Sequence, residues 1–119
     1  MTTPSIPDKI KIIGKQYSVE MVPELDECGL CYDTKQLIKI SEDLPHDLTQ
    51  DTILHEVMHA IDYQMHIGMK ERQISAMAAG IIAVFKENPG LLKFITTPTD
   101  AKTAKAPARS VQKRKKLTK

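Results

Sequence analysis

The sequence predicts an α+β domain: a small antiparallel or mixed sheet, built from N-terminal hairpins, packed on two helices. Three observations carry this prediction. Apolar residues alternate with polar ones in two stretches before residue 41, the period becomes helical from Asp47, and apolar content nearly vanishes beyond Thr97. Strands first and helices after is the order of an α+β arrangement.

The first stretch is Ile10, Ile12 and Ile13, then Gly14-Lys15, then Tyr17, Val19 and Met21 up to Pro23. Two apolar runs around a short glycine-containing break read as a β-hairpin. After the acidic loop Glu24–Glu27, the runs Cys28–Tyr32 and Leu37–Ile40 flank Asp33-Thr34-Lys35. They read as a second hairpin with one strand at a sheet edge. Ser41-Glu42-Asp43-Leu44-Pro45 breaks the strand pattern.

A helix is expected from Asp47, which can cap it, to about His66, with Gly68 as its stop. A second helix starts near Lys70 or Glu71 and carries Ile74, Ala78, Ile81 and Phe85 on one stripe. Asn88-Pro89-Gly90 ends it, and Leu91–Ile95 forms a last short helical turn. The domain therefore covers residues 1–96. The tail, 97–119, is rich in Thr, Ala, Lys and Pro, and its composition predicts disorder.

Charge follows the same division. Residues 97–119 hold eight Lys/Arg against Asp100 alone, which leaves nine basic and fourteen acidic residues in the domain. An acidic body with a basic tail excludes a uniformly basic nucleic-acid binder. It leaves Lys113-Arg114-Lys115-Lys116 as a possible contact for nucleic acid or an acidic partner, against the simpler reading of a solvated end. The opening MTTPSIPDK lacks a signal-peptide core, and no apolar run approaches the roughly 18–20 residues of a membrane span. A cytoplasmic protein without membrane association is the expectation.

The chemistry lies in His55-Glu56-Val57-Met58-His59. Histidines four residues apart project from one helical face, and both nitrogens can bind zinc at about 2.0–2.1 Å. Glu56 falls where it can act as general base toward a water polarised by Zn2+. Thr52, Ile53, Val57, Met58, Ala60 and Ile61 are uncharged, as a buried metal-bearing helix requires. In metzincins a Gly and a His follow at fixed offsets, but Asp62 and Met65 stand there and exclude that class. His66 shares the face but lies roughly 10 Å along the axis from His59, so it reads as a helix-end histidine.

Glu71 is the better third ligand. It shares the stripe of Ile74 and Ala78, where a carboxylate is costly unless it is paired or bound to metal. Asp62 shares the face of His55 and His59 and is a candidate for orienting an imidazole, with a surface or capping role as the alternative.

The stretches TILHEVMHAID (52–62) and ERQISAMAAG (71–80) resemble the minimal gluzincins, the ImmA/IrrE-type peptidases and related small phage or prophage proteins. The resemblance covers roughly residues 9–96. It implies a third zinc ligand at the start of the helix after HExxH, here Glu71, and a small sheet on an active-site helix and a glutamate helix. It also implies an edge strand that holds an extended peptide by strand addition, with Cys28–Tyr32 or Leu37–Ile40 lining the cleft. The chain departs from the ImmA/IrrE pattern in having no recognisable DNA-binding or sensor domain.

The expected function is zinc-dependent hydrolysis of a protein or peptide substrate. The alternatives are a zinc-bearing binding module without turnover and an accessory protein that contacts nucleic acid through its tail. Cys28 and Cys31 have the spacing of half a zinc knuckle or a redox pair. With no second Cys pair and a place in a strand or turn, ordinary strand residues are the preferred reading. Tyr17, Tyr32 and Tyr63 are all candidates to stabilise an oxyanion, and the sequence does not choose among them.

Overall fold

A computed structural model describes residues 4–99. Its elements are β1 (Lys9–Ile12), β2 (Lys15–Val22), β3 (Gly29–Tyr32), β4 (Leu37–Ser41), α1 (His46–Met65), α2 (Glu71–Glu87) and α3 (Pro89–Thr96). The chain divides into two compact units, Met1–Val84 and Phe85–Lys119. The basic run of the tail lies outside the described residues.

The sheet is mixed, in the order β1-β2-β4-β3. β1 and β2 are antiparallel, with Ile12 opposite Lys15. The two residues between them, Ile13 and Gly14, have φ of 48° and 82°. Positive φ at both central positions marks the turn whose twist matches a hairpin, so the chain reverses there although Ile13 is β-branched. β3 and β4 form the second antiparallel pair, Gly29 opposite Ile40 through Tyr32 opposite Leu37. The pairing that joins the two hairpins is parallel, β2 against β4 from Ser18–Leu37 to Val22–Ser41. β4 is therefore internal and β3 is an edge. Of the two strands expected to border a substrate cleft, only Cys28–Tyr32 is at an edge, and Leu37–Ile40 is paired on both sides.

Strand alternation puts Tyr17, Val19, Ile38 and Ile40 on one face of the sheet. With Ile12 and Ala60 they form the buried core, against which Ile53, Val57 and Ile61 of α1 pack. Ile38, Ile40 and Ile74 are fully buried, and each contributes about 1.5–3 kcal/mol by leaving water.

α1 begins one residue before the expected Asp47. Pro45 stands at its N-cap without a side-chain capping bond, and Asp47 falls in the first turn. Thr49 Oγ1 donates to the Pro45 carbonyl at 3.0 Å. The helix is ended by His66, in the left-handed region at φ 55°, and not by Gly68. α2 opens as a half capping box: the Lys70 N–H donates to Gln73 Oε1 at 2.8 Å, which sets Glu71 as the first helical residue. In the second unit, α3 opens at Asn88-Pro89, the proline supplying the preset φ of a first turn.

Candidate metal centre

The period of α1 sets the direction of each side chain in the site. Thr52, Glu56 and Ala60 recur every fourth residue and are the buried positions of the helix. His55 and His59 each precede one of these by a residue, a rotation of about 100°. They line a cleft bordered by β3, together with Glu27, Leu30 and Asp33.

Gly29 allows the strand to come so close. A Cβ there would lie 2.7 Å from Thr52 Cγ2 and 3.1 Å from both Cγ and Oε2 of Glu56. Because Thr52 is itself buried, there is little room for it to yield. The residue after Cys28 is glycine because β3 runs directly over the Glu56 turn of α1.

Glu71 arrives through the short α1–α2 connection. Asp62 Oδ1 accepts from the N–H groups of Gly68, at 2.8 Å, and Met69, at 3.0 Å. These bonds fold the connection back on α1, and the Lys70–Gln73 bond then starts α2 with Glu71 beside the histidines. Of the two roles expected for Asp62, these bonds fit the capping one: its Oδ1 holds the loop that delivers Glu71, the third candidate ligand. The expected reason for Glu71 also needs correction. Ile74 and Ala78 of its stripe are fully buried, but the Glu71 side chain is 68% exposed. Loop geometry brings it to the site, and burial does not.

His55 Nε2 lies 2.7 Å from Glu71 Oε2, and His59 Nε2 lies 2.9 Å from Glu71 Oε1. The imidazole centroids are 4.9 Å apart. One donor atom from each of the three residues lies within 4.8 Å of the others, and among the described residues this is the one such group, so it can hold a metal ion. The donor set fits a divalent cation: two imidazole nitrogens and one carboxylate stand within reach of one ion. His55 Nδ1 has its own partner, Ser75 Oγ at 3.4 Å. That contact leaves Nε2 as the ligating nitrogen. Ser75 follows Glu71 by four residues, the one-turn spacing that could have flagged it in the sequence.

Glu56 is 6% exposed and faces the cleft. Burial pushes its carboxyl above the usual carboxylate range. His55 and His59 oppose that shift, while Glu71 and Asp33 reinforce it.

The remaining candidates fall elsewhere. His66 is the cap of α1 and is not among the grouped ligands. Tyr17 is buried with its hydroxyl donating to Asp33 Oδ1 at 3.2 Å, and Tyr63 is 49% exposed. The Tyr32 ring sits under the ammonium groups of Lys35 and Lys39. None of the three tyrosines lines the cleft. Cys28 and Cys31 are free thiols. Cys31 Sγ donates to Asp33 Oδ1 at 3.3 Å, and its pKa is raised by burial first and then by Asp33, the opposite of what a redox or ligating thiolate needs. Asp33, which joins Tyr17, Cys31 and the cleft, had no sequence signal beyond an aspartate in a turn.

No described helix is long and apolar enough to cross a membrane. Comparison with known protein families, with curated proteins and with solved structures returns no match to this chain.

Proposed function

We propose that this protein is a zinc-dependent peptidase of the gluzincin type, with His55, His59 and Glu71 as ligands and Glu56 as general base. Glu56 is the observation that carries the reading. It is 6% exposed, it makes no hydrogen bond among the described residues, and it borders both cavities that adjoin the centre. Its side chain is mostly buried while its carboxylate opens toward the histidines, and a site that only stores or senses metal has no use for a carboxylate held there.

A His₂Glu set is that of catalytic zinc sites with an open position, where the bound ion polarises a carbonyl and makes water a nucleophile near neutral pH. Glu56 takes the proton of the attacking water and returns it to the leaving amine. β3 leaves backbone N–H and C=O groups at the sheet edge for an extended peptide. Asp62 and Gln73 act at one remove, by holding the turn that presents Glu71.

The test uses the zinc-loaded full chain on a mixed peptide library, wild type beside Glu56→Gln. We expect the variant to keep its zinc and to lose about 100-fold or more in turnover. Equal turnover by the two proteins, or none by the wild type, would overturn the peptidase reading. Metal analysis of Glu71→Ala tests the ligand set in parallel: full zinc occupancy in that variant would remove Glu71 from it.

A further inference from the structure

We propose that the cleft selects a basic peptide segment, one with Lys or Arg on both sides of the residue held at the metal centre. The inference rests on the peptidase reading and names the substrate class of that same site.

Two cavities, of about 290 and 300 Å³, border the centre and share Glu27, Gly29, His55, Glu56 and Glu71, and one of them also takes in His59. One extends to Asp51 and the other to Asp33. No Lys or Arg lines either cavity among the described residues. A divalent ion at the centre balances the formal charges of Glu56 and Glu71. Glu27, Asp33 and Asp51 then remain as three further carboxylates, Glu27 where the cavities meet and the aspartates at opposite ends.

The two lysines of the β3–β4 hairpin are turned away. Ile38 and Ile40 of β4 face the core, so Lys39 between them faces the other side of the sheet. There the Lys35 and Lys39 ammonium groups lie 5.4 and 5.6 Å from the Tyr32 ring centroid. The acidic groups are therefore not neutralised from within the hairpin that forms the cleft wall.

A peptide running along the free edge of β3 crosses both cavities, because Gly29 borders each of them. Its side chains on the two sides of the centre would meet Asp33 and Asp51 in turn. An acidic side chain at either position faces like charge beside Glu27 and is rejected, while a basic one is attracted. Acidic side chains alone would not define a ligand site. Here the Glu56 side chain, 6% exposed and without a hydrogen bond among the described residues, borders the same space.

The test measures binding apart from cleavage. Labelled peptides of one length and backbone, carrying Lys, Gln or Glu at the flanking positions, are titrated into the zinc-loaded full chain bearing Glu56→Gln, and anisotropy is followed. The Lys peptide is expected to bind about tenfold more tightly than the Gln peptide at low salt, and the Glu peptide least. The preference should fall with ionic strength, and fall again in the Glu27→Gln/Asp51→Asn double variant. Asp33→Asn is a second, separate probe, since Asp33 also holds Tyr17 and Cys31.

Equal binding of the three peptides, binding of none, or preference for the Glu peptide would overturn the proposal. Wild-type cleavage of all three peptides at one rate would overturn it while leaving the peptidase reading intact. Selective binding of the Lys peptide with no cleavage by the wild type would do the reverse.

Discussion

Asp33 joins the buried face of the sheet to the cleft. Its Oδ1 accepts from the Tyr17 hydroxyl and the Cys31 thiol, and the residue borders the cleft that holds Glu56. The thiol is kept protonated by burial and by the carboxylate beside it. A thiol reacts as thiolate, so a raised pKa reduces the reactive fraction at every pH below it. At pH 8, Cys28 should label with iodoacetamide well before Cys31, and the difference should narrow as pH rises. Asp33→Asn removes the negative acceptor, lowers the Cys31 pKa and should speed its labelling. Mass spectrometry of the two peptides gives both rates, and equal rates in the wild type would exclude this account. The HExxH residues were legible in the sequence because their spacing is itself the geometry: two positions on one helix need no tertiary contact to share a face. Asp33 was not legible, since aspartate is favoured in strand turns for purely local reasons.

Among the elements, α1 and β3 are coupled through a single close approach. The stripe Thr52-Glu56-Ala60, recurring every fourth residue, sits under the sheet, and only a glycine at 29 lets the edge strand reach it. Gly29→Ala places a methyl group 2.7 Å from the Thr52 methyl, so the strand or the helix must shift. A loss of about 1–3 kcal/mol in urea unfolding is expected, the range of an overpacked core. Zinc-dependent activity should fall further than stability alone explains, because the cleft wall moves. An unchanged midpoint would mean that the two elements are not held together at this residue. The start and end of α2 and the existence of both hairpins followed from periodicity and from Asn88-Pro89-Gly90. The end of α1 at about His66 followed as well, but not its cap: both His66 and Gly68 have positive φ, and it is His66 whose N–H bonds to the Asp62 carbonyl and closes the helix.

For the whole molecule, the ligands come from two helices joined by a short turn, so metal affinity and folding are linked. On the proposed reading, zinc would bind the arrangement in which Glu71 meets both histidines, and that arrangement exists only in the folded chain. At a free zinc concentration about 100-fold above Kd, stabilisation of about 2.7 kcal/mol is expected, which for this size raises Tm by roughly 10 °C. Chelation should reverse the shift, Glu71→Ala should reduce it, and His55→Ala should abolish it. Calorimetry with and without zinc measures all three, and a wild-type Tm indifferent to zinc would rule out a folded-state metal site.

The sequence by itself determined the α+β class, the two hairpins, the helix pair and the residues of the HExxH turn. Each of these is written in a local period, a turn residue or a fixed offset along one helix. Only the tertiary structure decided that β2 pairs in parallel with β4 and leaves β3 at the edge, that Gly29 lets β3 close on Glu56, and that Asp62 folds the turn that delivers Glu71. Each of these joins residues distant in sequence through packing and backbone hydrogen bonds. Local periodicity gives such pairings no distinct signature, because the same strands and turns are equally compatible with other orders.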